Sequence, residues 1–120
     1  AETIVLCSEN RFSQSKTHFC KYLPVKEENN KLSPLHSLKT LAEQGITSVL
    51  VEGGQEVIHS YISENVIDQI YIYTSPEKLD GANLKNPFQL SDEWSIIEEL
   101  SLGQDTLIIA RKGAECLLEL

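Results

Sequence analysis

The chain has 120 residues, an apolar fraction of 41% and a formal charge of −8. That is one domain's worth of residues, with an ordinary globular composition and room for a single core. The acidic balance weighs against nucleic-acid binding, which draws on Lys and Arg to neutralise phosphates. It leaves open one small anionic ligand held by a few backbone N–H groups.

No stretch reaches the roughly 20 apolar residues needed to cross a bilayer. The opening Ala1-Glu2-Thr3-Ile4-Val5-Leu6 has neither the positive flank nor the apolar run of a signal peptide, so a cytoplasmic location is expected. Cys7, Cys20 and Cys116 are odd in number and widely spaced, which fits free thiols in a reducing compartment. The absence of Met, even at position 1, hints at an excised chain.

Thr3 to Cys7 is a β-branched, apolar run, read as a buried strand that ends in a polar turn, Ser8-Glu9-Asn10-Arg11. Phe19 to Val25 is read as a second, irregular strand, placed at an edge by Pro24. Glu27 to Lys31 reads as a solvated loop. Ser33-Pro34 then opens a helix, with Ser33 as N-cap and Pro34 in the first helical position. Leu35, Leu38, Leu41 and Ala42 mark its apolar face and Gly45 its stop.

Ile46 to Val51 is read as the next buried strand, and Val57, Ile58, Tyr61 and Ile62 as one face of a second helix. Val66 to Tyr73 is a third strand. A long connection, Ser75 to Leu90, precedes two closing strands, Trp94 to Leu100 and Thr106 to Arg111. The short turn at Leu102-Gly103-Gln104-Asp105 makes these an antiparallel hairpin. This order predicts an α/β fold: a mixed sheet flanked by helices, parallel in its first half and antiparallel at its end.

Between the strand ending at Val51 and the following helix stand only Glu52, Gly53 and Gly54. Paired glycines permit a tight turn and let another molecule approach bare backbone. The helix N-terminus beyond them carries free N–H groups and the positive end of the helix dipole, so the turn can cradle a pyrophosphate. The same pair can equally serve close packing of helix on strand, and local chemistry does not choose between the two.

Val51-Glu52-Gly53-Gly54, Ile62, the stretch Val66 to Tyr73 and Ser75-Pro76-Glu77-Lys78-Leu79-Asp80-Gly81 together resemble the reductase domain of bacterial riboflavin biosynthesis. That domain shares its fold with dihydrofolate reductase. Its pattern is V-E-G-G, a helix, a V-D-E-hydrophobic strand, then A-P-x-L-x-G. Gln69, Ser75 and Asp80 are the departures. The resemblance covers the second half of the family's domain; the opening strands and much of the substrate pocket have no counterpart in these residues.

The resemblance implies an NADPH-dependent reduction of a phosphorylated ribosylamino-pyrimidine to its ribityl form. It places Ser8, Gly53, Gly54, Gln55, Glu56, Val57 and Ile58 at the cofactor and Glu52 at the substrate. Arg11 is a charge partner beside Ser8, by proximity alone. It names no catalytic proton donor. Without the opening strands the sheet is expected to rearrange or to be completed in a homodimer, and turnover to be impaired.

Two other readings stand beside this one: a pterin reductase of the same fold, and a non-catalytic nucleotide-binding or dimerisation module. The remaining candidates favour bland roles. His18 and His36 lack metal-spaced partners, His59 reads as a surface or partly buried mid-helix residue beside Ile58, and no pairing for nucleophilic catalysis is present. Trp94 reads as a packing anchor; Asp92-Glu93 and Glu98-Glu99 read as solvated faces, and Asp68 as a turn or cap residue.

Overall fold

The computed structural model describes residues 2–14 and 19–113; His18 and Cys116 lie outside them. The chain divides into two compact units, Ala1–Glu52 and Gly53–Leu120.

In the first unit, β1 (Ile4–Ser8) pairs in parallel with β2 (Lys21–Val25), setting Cys7 opposite Pro24 and Ser8 opposite Val25. Pro24 is tolerated because a two-stranded sheet has only edges. The expected polar turn after β1 is instead a short helix, α1 (Glu9–Gln14). Ser8 caps it, its Oγ accepting the Arg11 N–H at 3.3 Å, and Glu9 supplies first-turn negative charge.

The expected loop at Glu27 to Lys31 is a miniature hairpin, β3 (Glu27–Glu28) and β4 (Lys31–Leu32). Its two-residue turn is Asn29-Asn30, with φ of 53° and 60°. Positive φ at both central residues is what a type I′ turn needs, and Asn tolerates it better than most residues.

Helix α2 (Pro34–Glu43) begins as expected: Ser33 accepts the His36 N–H, and Pro34 sits in the first turn. Gly45, at φ 82°, follows its end. Its buried side differs from the expected leucine stripe. Ser33, Pro34, Ser37 and Thr40 are buried, whereas Leu35 and Ala42 are exposed. The cost of burying hydroxyls is met locally, as in the 2.8 Å bond from Ser37 Oγ to the Ser33 carbonyl. Val25, with no exposed surface, and Cys7 form the apolar centre of this unit. Cys7 and Cys20 are free thiols.

The strand expected at Ile46 to Val51 does not form. The segment belongs to no sheet, and Leu50 is 73% exposed. A β-branched sequence supplies a preference for extended backbone, but a strand exists only where a neighbour accepts its hydrogen bonds.

In the second unit, α3 (Gln55–Ser63) is followed by β5 (Gln69–Thr74), a long irregular connection, and the hairpin of β6 (Trp94–Leu102) and β7 (Asp105–Lys112). The sheet is antiparallel in the order β5-β7-β6. Gly103, at φ 69°, takes the first central position of the hairpin turn, where positive φ is required. A bulge interrupts β6 between Ile96 and Glu98.

Because β7 is central, its side chains are shielded from both sides. Tyr71 and Tyr73 of β5 stand opposite Ile109 and Leu107, and Leu100 of β6 stands opposite Leu107. Leu107, Ile109 and Ala110 are accordingly buried, each large aliphatic contributing about 1.5–3 kcal/mol, while Tyr71, Tyr73 and Leu100 remain exposed. Val57, Ile58, Tyr61 and Ile62 of α3 are not fully buried: Val57 is exposed and the other three are half-buried.

Candidate functional site

The glycine turn opens the second unit. Gly53 is required by packing: a Cβ there would lie 2.9 Å from Val57 Cβ, below any tolerated contact. Gly54 is different. It is the N-cap of α3 at φ −70° and ψ 173°, a conformation open to every residue, and a Cβ on it would meet nothing within 4 Å. Neither strain nor crowding within the chain demands glycine at position 54. What an added methyl would fill is the open space in front of the helix.

The amides point to the same place. The first bond of the helix is donated by the Ile58 N–H to the Gly54 carbonyl at 3.2 Å, and no side chain caps the end. Among the described residues, the N–H groups of Gly54, Gln55 and Val57 therefore have no protein acceptor. Residues 53–57 are exposed, and these donors stand at the positive end of the helix dipole. Of the expected cofactor residues, the structure thus brings Gly54, Gln55, Glu56 and Val57 into one first turn. Ile58, whose amide is consumed, and Gly53, whose lack of a side chain serves Val57, support that turn structurally.

Glu52 closes the first unit with its side chain exposed. Ser8 lies at the C-terminal ends of the parallel β1 and β2, where ligands of α/β sheets commonly sit. Its Oγ accepts from Arg11 N–H and keeps an O–H to donate. A cleft beside it is lined by Glu9, Asn10, Val25, Lys26 and Glu27. Lys26 is a cation that sequence reasoning did not single out. The carboxylates of Glu9 and Glu27 share that lining with its ammonium.

The other sequence candidates fall into structural roles. His36 Nδ1 accepts the Lys26 N–H at 3.2 Å, and His59 is exposed on α3 beside Ser63. The Asp68 carbonyl accepts the Lys112 N–H at 3.0 Å. No group of three metal-ligating side chains occurs among the described residues.

A parallel pair, an antiparallel three-stranded sheet and a glycine turn opening a helix define the class: a mixed α/β domain of the dihydrofolate-reductase-like kind. The family follows from comparison. The model of the RibD C-terminal domain matches residues 1–105, and the chain belongs to that family.

Among curated proteins, it is similar to the 2,5-diamino-6-ribosylamino-4(3H)-pyrimidinone 5′-phosphate reductase of Archaeoglobus fulgidus. That match is 42% identical over 55 residues, covering 46% of this chain and 24% of the relative. Among solved structures, RibD of Acinetobacter baumannii superposes with a TM-score of 0.63 at 21% identity, over 91% of this chain and 30% of the other. A deaminase/5-amino-6-(5-phosphoribosylamino)uracil reductase of Thermotoga maritima gives 0.57 at 21% identity, over 91% and 37%. The chain spans about a third of the length of those two structures. No helix among the described residues is long and apolar enough to cross a membrane.

Proposed function

We propose that this chain carries the nucleotide-phosphate half of an NADPH-dependent reductase acting on a phosphorylated ribosylamino-pyrimidine. The carrying observation is the open first turn of α3: an unhindered Gly54 and unpartnered amides, in a member of the RibD C-terminal family. A pyrophosphate fits such a turn, because the free N–H groups satisfy its oxygens and the dipole favours its charge.

When bound, NADPH would supply the hydride that reduces C1′ of the ring-opened sugar imine, the imine nitrogen taking its proton from water to give the ribityl amine. Within this reading the Gly54, Gln55 and Val57 amides hold the cofactor's phosphates. In the first unit, the family resemblance assigns the Ser8 hydroxyl to a cofactor ribose and Glu52 to polar groups of the pyrimidine. The residues orient reactants and exclude alternatives; the redox chemistry belongs to the cofactor.

Titration of the chain with NADPH and with NADH, followed by cofactor fluorescence, tests this reading. Saturable binding that prefers NADPH is expected. Absence of binding to either would leave a non-catalytic module of the same fold, a reading that the unpaired segment at Ile46 to Val51 favours.

That segment also motivates a homodimer. Exposed Val49 and Leu50 beside unpaired backbone form a template for another strand. Sedimentation velocity should show concentration-dependent dimers, and Leu50→Lys should shift the population to monomer. A monomer at every concentration would remove the dimer from the proposal.

A further inference from the structure

A second cleft lies wholly within the second unit, at the C-terminal end of α3, and none of the cradle residues lines it. Its volume of about 310 Å³ is at the lower end of the range for small-molecule pockets. The apolar wall is made by Ile62, Ile67, Phe88 and Trp94. Phe88 is buried and meets Trp94 edge to face, with ring centroids 5.2 Å apart at 90°, so this wall is fixed by packing.

Opposite charges stand together at its rim. Lys112 Nζ is 3.2 Å from Glu93 Oε2, donates to Asn65 Oδ1 and lies 5.8 Å from the centre of the Trp94 ring. The three residues, Asn65, Glu93 and Lys112, come from separate places in the chain: the turn after α3, the turn before β6 and the end of β7. The Glu93 side chain is 68% exposed, so it can exchange partners without disturbing the core; that of Lys112 is 28% exposed and stays anchored.

We propose that this cleft binds a small zwitterion with an apolar side chain, namely an apolar α-amino acid. A ligand carrying only an anionic group would meet Lys112 but sit against Glu93. One carrying only a cation would meet Glu93 but be repelled by Lys112. A zwitterion satisfies both: its carboxylate takes Lys112, its ammonium takes Glu93, and no charge is left unpaired. Its side chain covers the Ile62, Ile67, Phe88 and Trp94 wall. The volume accommodates a side chain the size of leucine and excludes a dinucleotide.

Trp94 is the only tryptophan in the chain, so intrinsic fluorescence reports on this wall directly. The 120-residue protein is titrated with L-leucine and with two single-charge analogues, 4-methylpentanoate and isopentylamine. Leucine should give a saturable change, with half-saturation at least about tenfold below either analogue, the effect of one lost charge-assisted contact. Glu93→Gln should weaken leucine about tenfold and leave 4-methylpentanoate no weaker. Lys112→Met should abolish the advantage of leucine over isopentylamine. Should that variant fail to fold, Glu93→Gln alone decides, since an exposed carboxylate is dispensable for packing. No saturable change with leucine, equal response to the analogues, or unaltered leucine binding by Glu93→Gln would each overturn the proposal.

Discussion

Two adjacent glycines with opposite requirements make the candidate cradle open to dissection by single methyl groups. At position 53 an alanine Cβ would collide with Val57 Cβ, a branched side chain on a helix that cannot swing aside. Gly53→Ala is expected to lower stability by about 1–3 kcal/mol, the usual cost of overpacking. At position 54 the same methyl enters open space on ordinary backbone. Gly54→Ala should therefore change stability in urea denaturation by less than about 1 kcal/mol, because the weaker N-cap preference of alanine offsets the gain from reduced unfolded-state entropy. Its effect should appear instead in NADPH affinity, weakened about tenfold or more if the methyl takes space that a bound phosphate would use. Unchanged affinity in the Gly54 variant would separate this turn from any phosphate role.

At the scale of elements, local signals and pairing signals behave differently. The start of α2 was legible because its cap is local chemistry: Ser33 and Pro34 act within one turn and need no partner elsewhere. The β6–β7 hairpin was legible because Gly103 supplies the turn and the strands it joins are each other's partners. α1 was missed although Ser8-Glu9 is a valid start, because six residues give too short a period to read. The segment Ile46 to Val51 shows the converse error. Its composition is that of a strand, yet pairing is a property of two segments. The Lys112, Glu93 and Asn65 cluster had no sequence signal at all, since three separate places in the chain assemble it. The contrast between paired and unpaired segments should be visible in hydrogen exchange. At dilutions where the chain is monomeric, amides of Thr47, Val49 and Leu50 should exchange near the unprotected rate, while those of Leu107, Ile109 and Ala110 in central β7 should be the slowest. Comparable protection in both segments would show that Ile46 to Val51 has a partner strand in solution.

For the molecule as a whole, holding a cofactor and turning over a substrate make different demands. Cofactor phosphates can be held by one helix turn, whose donors are fixed by the helix itself. Hydride transfer also needs the acceptor carbon placed within about 3–3.5 Å of the donor, and small misplacements cost orders of magnitude in rate. The candidate substrate contact in this chain is a single exposed carboxylate, Glu52, and it lies outside the unit that begins with the cradle. A lone hydrogen-bonding group on a long side chain restrains one end of a substrate and leaves its rotation free. The purified 120-residue chain is therefore expected to bind NADPH and yet oxidise it, with the phosphorylated ribosylamino-pyrimidine present, at least about a hundredfold more slowly than reductases with complete pockets. Stopped-flow absorbance at the reduced-nicotinamide band separates the two properties, because binding and turnover are read in one experiment. If turnover were robust, the pocket would have to be completed by association of two chains. In that case activity would rise with the square of protein concentration at high dilution and fall away in Leu50→Lys.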